Sequence, residues 1–134
     1  MPTKKEIVKF WRDKSADDRI TARELLKSRR YSACLFFVHI YLEKILKAAI
    51  VEKTGKPAPY VHDLLDLANA AKIELSEEQK ELLREINTFN IRARYDNYKS
   101  EFYKRATKNY TAKHFELADK LYLWLEKRFT QTKK

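Results

Sequence analysis

The stretch YSACLFFVHIYLEKILKAAIV, from Tyr31 to Val51, decides the fold of this chain. Apolar residues occupy almost every position, and a helix that is apolar nearly all round is typical of the buried centre of a protein. One polar line crosses it, because His39, Glu43 and Lys47 are spaced four residues apart and stack on one face of a helix. We call these three residues the polar stripe. Buried polar groups need partners, so the stripe predicts internal partners, a cleft or contact with a second subunit.

The rest of the chain is also patterned for helices. With one glycine and three prolines in 134 residues, it has little material for hairpin turns. Thr3 with Glu6 fits a capping box at the first helix, Gly55 suits the end of the second, and Thr111 is expected to cap the last. Apolar residues recur at helical spacing in five segments, at about 3–29, 31–54, 61–71, 77–94 and 111–129.

These segments predict an all-α fold, an antiparallel up-and-down bundle of four long helices and one short helix. A chain of 134 residues suits one domain, so we expect 1–134 to form a single bundle with a frayed basic tail at 130–134. Residues 95–110 are expected to form a long loop. His62 and Asp63 are expected to cap or orient the short third helix.

Composition narrows the function classes. Cys34 is the single cysteine and lies in the apolar run, which is typical of a core residue in a reducing compartment, so we expect a cytoplasmic protein. The charges of the polar stripe argue against a membrane span. One glycine is too few for a phosphate-cradling loop. Three histidines far apart and one cysteine favour no metal site, and we predict no cofactor.

The charge balance and one segment point to a polyanion. The net charge is +10, which favours nucleic acid as a partner, although a lysine-rich soluble surface explains it equally well. Between residues 92 and 113, basic residues alternate with tyrosines and Phe102. Basic groups neutralise phosphates and aromatic faces stack on bases, although the tyrosines could instead pack the loop onto the bundle. The candidate nucleotide- or RNA-binding residues are Arg92, Arg94, Tyr95, Tyr98, Lys99, Lys104 and Arg105.

Four pieces of the sequence resemble the HEPN domain family (higher eukaryotes and prokaryotes nucleotide-binding). The run from Tyr31 to Ala48 resembles the family's "EKxLKA" helix. Trp11, with Asp18 and Ala22, resembles its first helix. His62-Asp63-Leu64 resembles its "HDL" turn, and Ala93-Arg94-Tyr95-Asp96 resembles its "ARYP" motif, with Asp96 in place of the usual proline. The four pieces occur in the family's order and cover almost the whole chain.

This resemblance implies an antiparallel helical bundle that usually dimerises. Many HEPN proteins are encoded beside a minimal nucleotidyltransferase and form toxin–antitoxin pairs with it. A large branch of the family cleaves RNA without a metal, using an arginine followed, after four to six residues, by a histidine. The chain departs from that branch, because the permitted positions after Arg92 and Arg94 hold no histidine, and no other arginine supplies one at that spacing.

Three functions stay open at this point. The first is a dimeric module that binds a nucleotide, RNA or a nucleotidyltransferase partner through Arg92, Arg94, Tyr95 and the polar stripe. The second is a divergent metal-independent ribonuclease that uses Arg94 with His39 or Tyr98. The third is a purely structural dimer whose charge confers only solubility. The stripe itself either satisfies its own charges or faces a dimer cleft opposite Arg92 and Arg94.

Overall fold

The computed structural model describes the backbone of residues 1–95 and 101–132, and the side chains of residues 1–90 and 103–129. Within these ranges the chain is helical and contains no strand, which confirms the all-α helical bundle. The six helices of the described residues are α1 (Lys4–Lys27), α2 (Tyr31–Thr54), α3 (Leu64–Ala70), α4 (Glu77–Tyr95), α5 (Glu101–Arg105) and α6 (Lys108–Thr132).

Helix α2 is the centre of the bundle, and α1, α3, α4 and α6 all pack against it. Its side chains are buried on every side, including Leu35, Leu42 and Ile45, which have no exposed surface. This is the arrangement expected for a helix that is apolar nearly all round. No helix among the described residues is both long and apolar enough to cross a membrane.

Polar contacts hold α1 in place against its neighbours. The guanidinium of Arg19 forms a two-pronged ion pair with Asp119 of α6, and Arg12 Nη2 lies 2.6 Å from a carboxylate oxygen of Glu126. The buried Ser15 hydroxyl donates to the backbone carbonyl of α2 at Tyr41, at 2.6 Å. Paired and partly enclosed charges of this kind fix register between helices in addition to apolar packing.

Local signals set most helix ends. The capping box of Thr3 and Glu6 is present, with each side chain accepting a hydrogen bond from the backbone of the other residue. Gly55 ends α2 in the left-handed conformation, at φ 69°, where a side chain would strain the backbone. The stretch 17–18 does not interrupt α1, so one long first helix is confirmed.

Three predicted boundaries were wrong. Helix α3 begins only at Leu64, because the side chain of Asp63 caps it by accepting from two backbone amides. Residues 101–105 of the expected loop form α5. Helix α6 begins at Lys108, because Thr107 rather than Thr111 accepts the first-turn amide of Tyr110. The helix also continues to residue 132, through part of the expected tail.

Candidate functional site

The polar stripe finds partners inside the molecule, and Glu43 is at their centre. The Glu43 side chain is only 12% exposed. Its oxygen Oε2 lies 3.0 Å from Lys47 Nζ and 3.1 Å from Nδ1 of His62. We call His39, Glu43, Lys47 and His62 the Glu43 cluster. One carboxylate therefore holds a cation one helical turn away and an imidazole from the loop that precedes α3.

His39 supports that loop from below. It is buried, and its Nε2 lies 2.9 Å from the backbone oxygen of His62, so Nε2 carries the proton and donates it. The other ring nitrogen, Nδ1, then has a lone pair; it lies 3.6 Å from Glu43 Oε1 and has no hydrogen-bond partner among the described residues. Burial lowers the pKa of His39 to about 4, against the opposing charge of Glu43. The ring is therefore a neutral support.

Lys47 is enclosed between Glu43 and an aromatic ring. Its residue is 6% exposed, and its Nζ lies 5.4 Å from the ring centre of Trp11 on α1. An ammonium near an aromatic face is attracted by the ring's negative face, and the carboxylate neutralises the charge. A buried lysine that lacked both contacts would be very costly, so Lys47 depends on Glu43.

His62 is the exposed member of the Glu43 cluster. Its side chain is 57% exposed, and the structure shows no hydrogen-bond partner for its outer nitrogen, Nε2, within the described ranges. Its backbone is fixed by the His39 bond, by the cap of the following Asp63, and by the amide of Leu64, which donates to Asn87 of α4 at 2.8 Å. A rigid backbone and a buried carboxylate therefore orient a solvent-facing imidazole.

A second polar group lies between α4, α5 and α6. The Tyr110 hydroxyl donates to Glu85, Arg105 Nη2 donates to the Thr88 hydroxyl at 3.2 Å, and the rings of Tyr110 and His114 stack with centres 4.0 Å apart. We call these five residues the Glu85 cluster. Burial and the Glu85 hydrogen bond raise the pKa of Tyr110, so the phenol remains a donor.

The predicted site residues are distributed unevenly. The polar stripe is brought together as one cluster with His62. Lys104 is exposed on α5, and Arg105 belongs to the Glu85 cluster. The backbone of Arg92, Arg94 and Tyr95 forms the last turns of α4, whereas their side chains, and Tyr98 and Lys99 altogether, lie outside the described residues.

Sequence reasoning assigned His62 only to capping or orienting α3. The cap itself is Asp63, and His62 instead turns back onto Glu43. The "HDL" turn was the one available signal. Among the described residues, no group of three or more histidine, cysteine, aspartate or glutamate side chains is arranged to hold a metal ion. Lys47 already occupies the side of Glu43 that a cation would need.

Comparison with known proteins agrees with this architecture. The family model described as "HEPN domain" matches residues 8–128, which include all of α2 and the Glu43 cluster. The chain belongs to the HEPN domain family. This membership supports a nucleotide-binding or ribonuclease-type role.

A solved structure shares the HEPN fold of this chain. It is the crystal structure of the protein TT1696 from Thermus thermophilus, and it superposes with a TM-score of 0.78. The alignment covers 90% of this chain and 96% of that one, at 18% sequence identity. At this identity the likeness concerns the fold alone. No curated protein matches the sequence.

Proposed function

We propose that this HEPN protein binds RNA or a nucleotide through the end of α4 and the segment that follows it. The observation that carries this proposal is the concentration of basic and aromatic residues there, in a chain of net charge +10. Arg92 and Arg94 come at the end of α4, and the exposed Tyr103 and Lys104 follow on α5. Cations neutralise phosphates and an exposed tyrosine offers a face to a base.

Self-association and a partner protein belong to the same proposal. We propose a homodimer that works in the cytoplasm, in line with its free and buried thiol, and that pairs with a co-encoded minimal nucleotidyltransferase as half of a toxin–antitoxin system. Exposed apolar side chains such as Phe10 and Ile20 support contact with another protein surface. Purification of the chain with the product of the neighbouring reading frame tests the pairing, and failure of the two to co-purify would contradict it.

Fluorescence anisotropy with labelled single-stranded RNA tests the binding proposal over a series of salt concentrations. Replacing Arg92 and Arg94 by alanine should weaken binding and lower the slope of log affinity against log salt by about 2, one unit per lost phosphate contact. The matched control is Lys4→Ala/Lys5→Ala, which removes the same charge at the first turn of α1. Equal losses in both variants, or no binding by the wild type, would favour a purely structural dimer.

One observation favours a second function, the divergent metal-independent ribonuclease. His39 is buried and its Nε2 is engaged, whereas His62 presents a free ring edge while Glu43 orients its Nδ1. A carboxylate-oriented imidazole is suited to general base catalysis. His62 Nε2 would take the proton of a ribose 2′-hydroxyl, whose oxygen attacks phosphorus. The P–O5′ bond then breaks and the leaving oxygen takes up a proton, leaving a 2′,3′-cyclic phosphate and a 5′-hydroxyl.

Incubation of the protein with labelled RNA in EDTA tests this second function. His62→Gln should lower cleavage by about a hundredfold or more while leaving RNA affinity unchanged. The control His114→Gln removes an imidazole from the Glu85 cluster and should leave cleavage intact. In Glu43→Gln, the imidazolium loses its negative neighbour, so the pH of half-maximal rate should fall. Intact RNA with the wild type would refute the ribonuclease function and leave the binding proposal standing.

A further inference from the structure

A groove with walls of opposite charge runs between α4 and α6. It has a volume of about 690 Å³. Its floor is apolar and includes Leu82 and Trp124, both half-buried. The α4 wall presents glutamates, among them Glu78 and Glu81, and the α6 wall presents Lys113 and Lys120. We call it the α4–α6 groove.

The charges of both walls are available to a partner. Glu78, Lys113 and Lys120 are exposed and form no ion pair within the described part of the chain. Glu81 is paired with Arg84 one turn along α4, in a pair whose side chains are 71% and 50% exposed. Exposed pairs of this kind contribute little, so the pairing does not consume the charge of Glu81.

We infer that a second copy of this chain occupies the α4–α6 groove, about a two-fold axis parallel to the groove. Rotation about that axis keeps each position along the groove and exchanges its two walls. The acidic α4 wall of each copy then faces the basic α6 wall of the other, and the two apolar floors meet. A surface that is complementary to itself in this way is what a two-fold dimer requires.

The charge pattern also rejects the alternative axis. A two-fold axis across the groove would place α4 against α4 and α6 against α6, which sets glutamates against glutamates and lysines against lysines. Helices α4 and α6 run antiparallel, because Glu85 near the end of one meets Tyr110 at the start of the other. The accepted axis therefore places Lys120 of the second copy near Glu78, and Lys113 of the second copy near Glu81. This inference rests on the proposed homodimer and names its interface.

Sedimentation velocity of the full chain tests the interface by charge reversal. The wild type should be a dimer at micromolar concentration. Glu78→Lys/Glu81→Lys and Lys113→Glu/Lys120→Glu should each be monomers, because each sets like charges against each other on both sides of the groove. An equimolar mixture of the two variants should form heterodimers, since both sides are then complementary again. All four positions are exposed, so the folded monomers should keep wild-type circular dichroism.

Matched reversals on other surfaces separate this inference from the broader proposal. The controls are Asp17→Lys/Glu24→Lys and Lys53→Glu/Lys56→Glu, which change the net charge equally and should stay dimeric. A wild type that dimerises and is indifferent to the groove reversals would overturn this interface and leave the homodimer standing. A wild type that remains monomeric at high concentration would overturn both. Dissociation of the control variants to the same degree would reduce the effect to net charge and would also overturn the interface.

Discussion

The Glu43 cluster and the Glu85 cluster are built from the same parts and are used differently. Each has a carboxylate that holds a cation and an aromatic or imidazole group from a different element. In the Glu43 cluster the carboxylate is 12% exposed and the His62 imidazole faces solvent. In the Glu85 cluster the carboxylate is 36% exposed and the rings are packed on one another. The first cluster presents a group outward, and the second fastens three helices together.

The difference follows from where the carboxylate is rooted. Glu43 comes from the central helix, so its charge is enclosed and everything it touches is strongly coupled to it. Glu85 lies near the surface of α4, where solvent screens its contacts. Four predictions test this comparison, from the largest expected effect to the smallest.

Removal of the enclosed carboxylate should have the largest effect. Glu43→Ala leaves Lys47 buried without its counter-charge, and we expect the free energy of unfolding to fall by about 4 kcal/mol. Urea denaturation with an unchanged m-value measures this loss. The double variant Glu43→Leu/Lys47→Leu should lose less than Glu43→Ala, because no unpaired charge remains. A loss no larger than that of Glu85→Ala would contradict the comparison.

Acidification should release the support that His39 provides. The unfolded chain takes up a proton near the ordinary value of 6.5, whereas the folded pKa is about 4. The stabilisation is therefore complete above pH 6.5 and is lost as the pH falls towards 4, by roughly 3 kcal/mol in total. His39→Gln keeps a donor for the His62 carbonyl and cannot titrate. The free energy of unfolding of the wild type, relative to this variant, should fall over that range, and parallel pH curves would disprove the assignment.

The screened carboxylate should matter less. Glu85→Ala removes the acceptor of the Tyr110 hydroxyl and an ion-pair partner of Arg105, and we expect a loss of about 1 kcal/mol. Tyr110→Phe removes only the hydroxyl and should account for part of that loss. Added salt should reduce the effect of Glu85→Ala more than that of Glu43→Ala. Equal salt sensitivity in thermal or urea unfolding would count against the difference in enclosure.

The two exposed-edge imidazoles give the finest contrast. His62→Ala should change the free energy of unfolding by less than about 0.5 kcal/mol, as for surface side chains generally. His114→Ala removes a ring that stacks on Tyr110 and also contacts Phe89, which should cost about 1 kcal/mol. The reverse order would mean that His62 has a structural role and would weaken its assignment as a group presented to a substrate.

Local patterns predicted most of the fold. Periodicity identified α1, α2 and α4 nearly to the residue, because long amphipathic or buried helices repeat one signal over many turns. Short elements carry few repeats, so α5 was missed and α3 was begun three residues early. Thr107 and Thr111 both suit a cap and are one turn apart, and the choice between them depended on which hydroxyl reached the amide of Tyr110.

The candidate site was predicted in part. The contact between Glu43 and Lys47 follows from their spacing of four on a helix, as the stripe predicted. The approach of His62 did not, because it depends on how the loop after Gly55 crosses back over α2. Whether the stripe also faces Arg92 and Arg94 stays a prediction.

The sequence by itself determined that α2 is buried, that its three polar residues share one face, and that the chain carries a strong positive charge. Each of these is a property of neighbours along one helix or of composition, so no distant contact is needed to read it. Only the tertiary structure decided that Glu43 orients His62, that His39 is spent on a backbone carbonyl, and that α4 and α6 leave a groove with oppositely charged walls. Those features join segments far apart in the chain, and packing rather than local preference sets the distances between them.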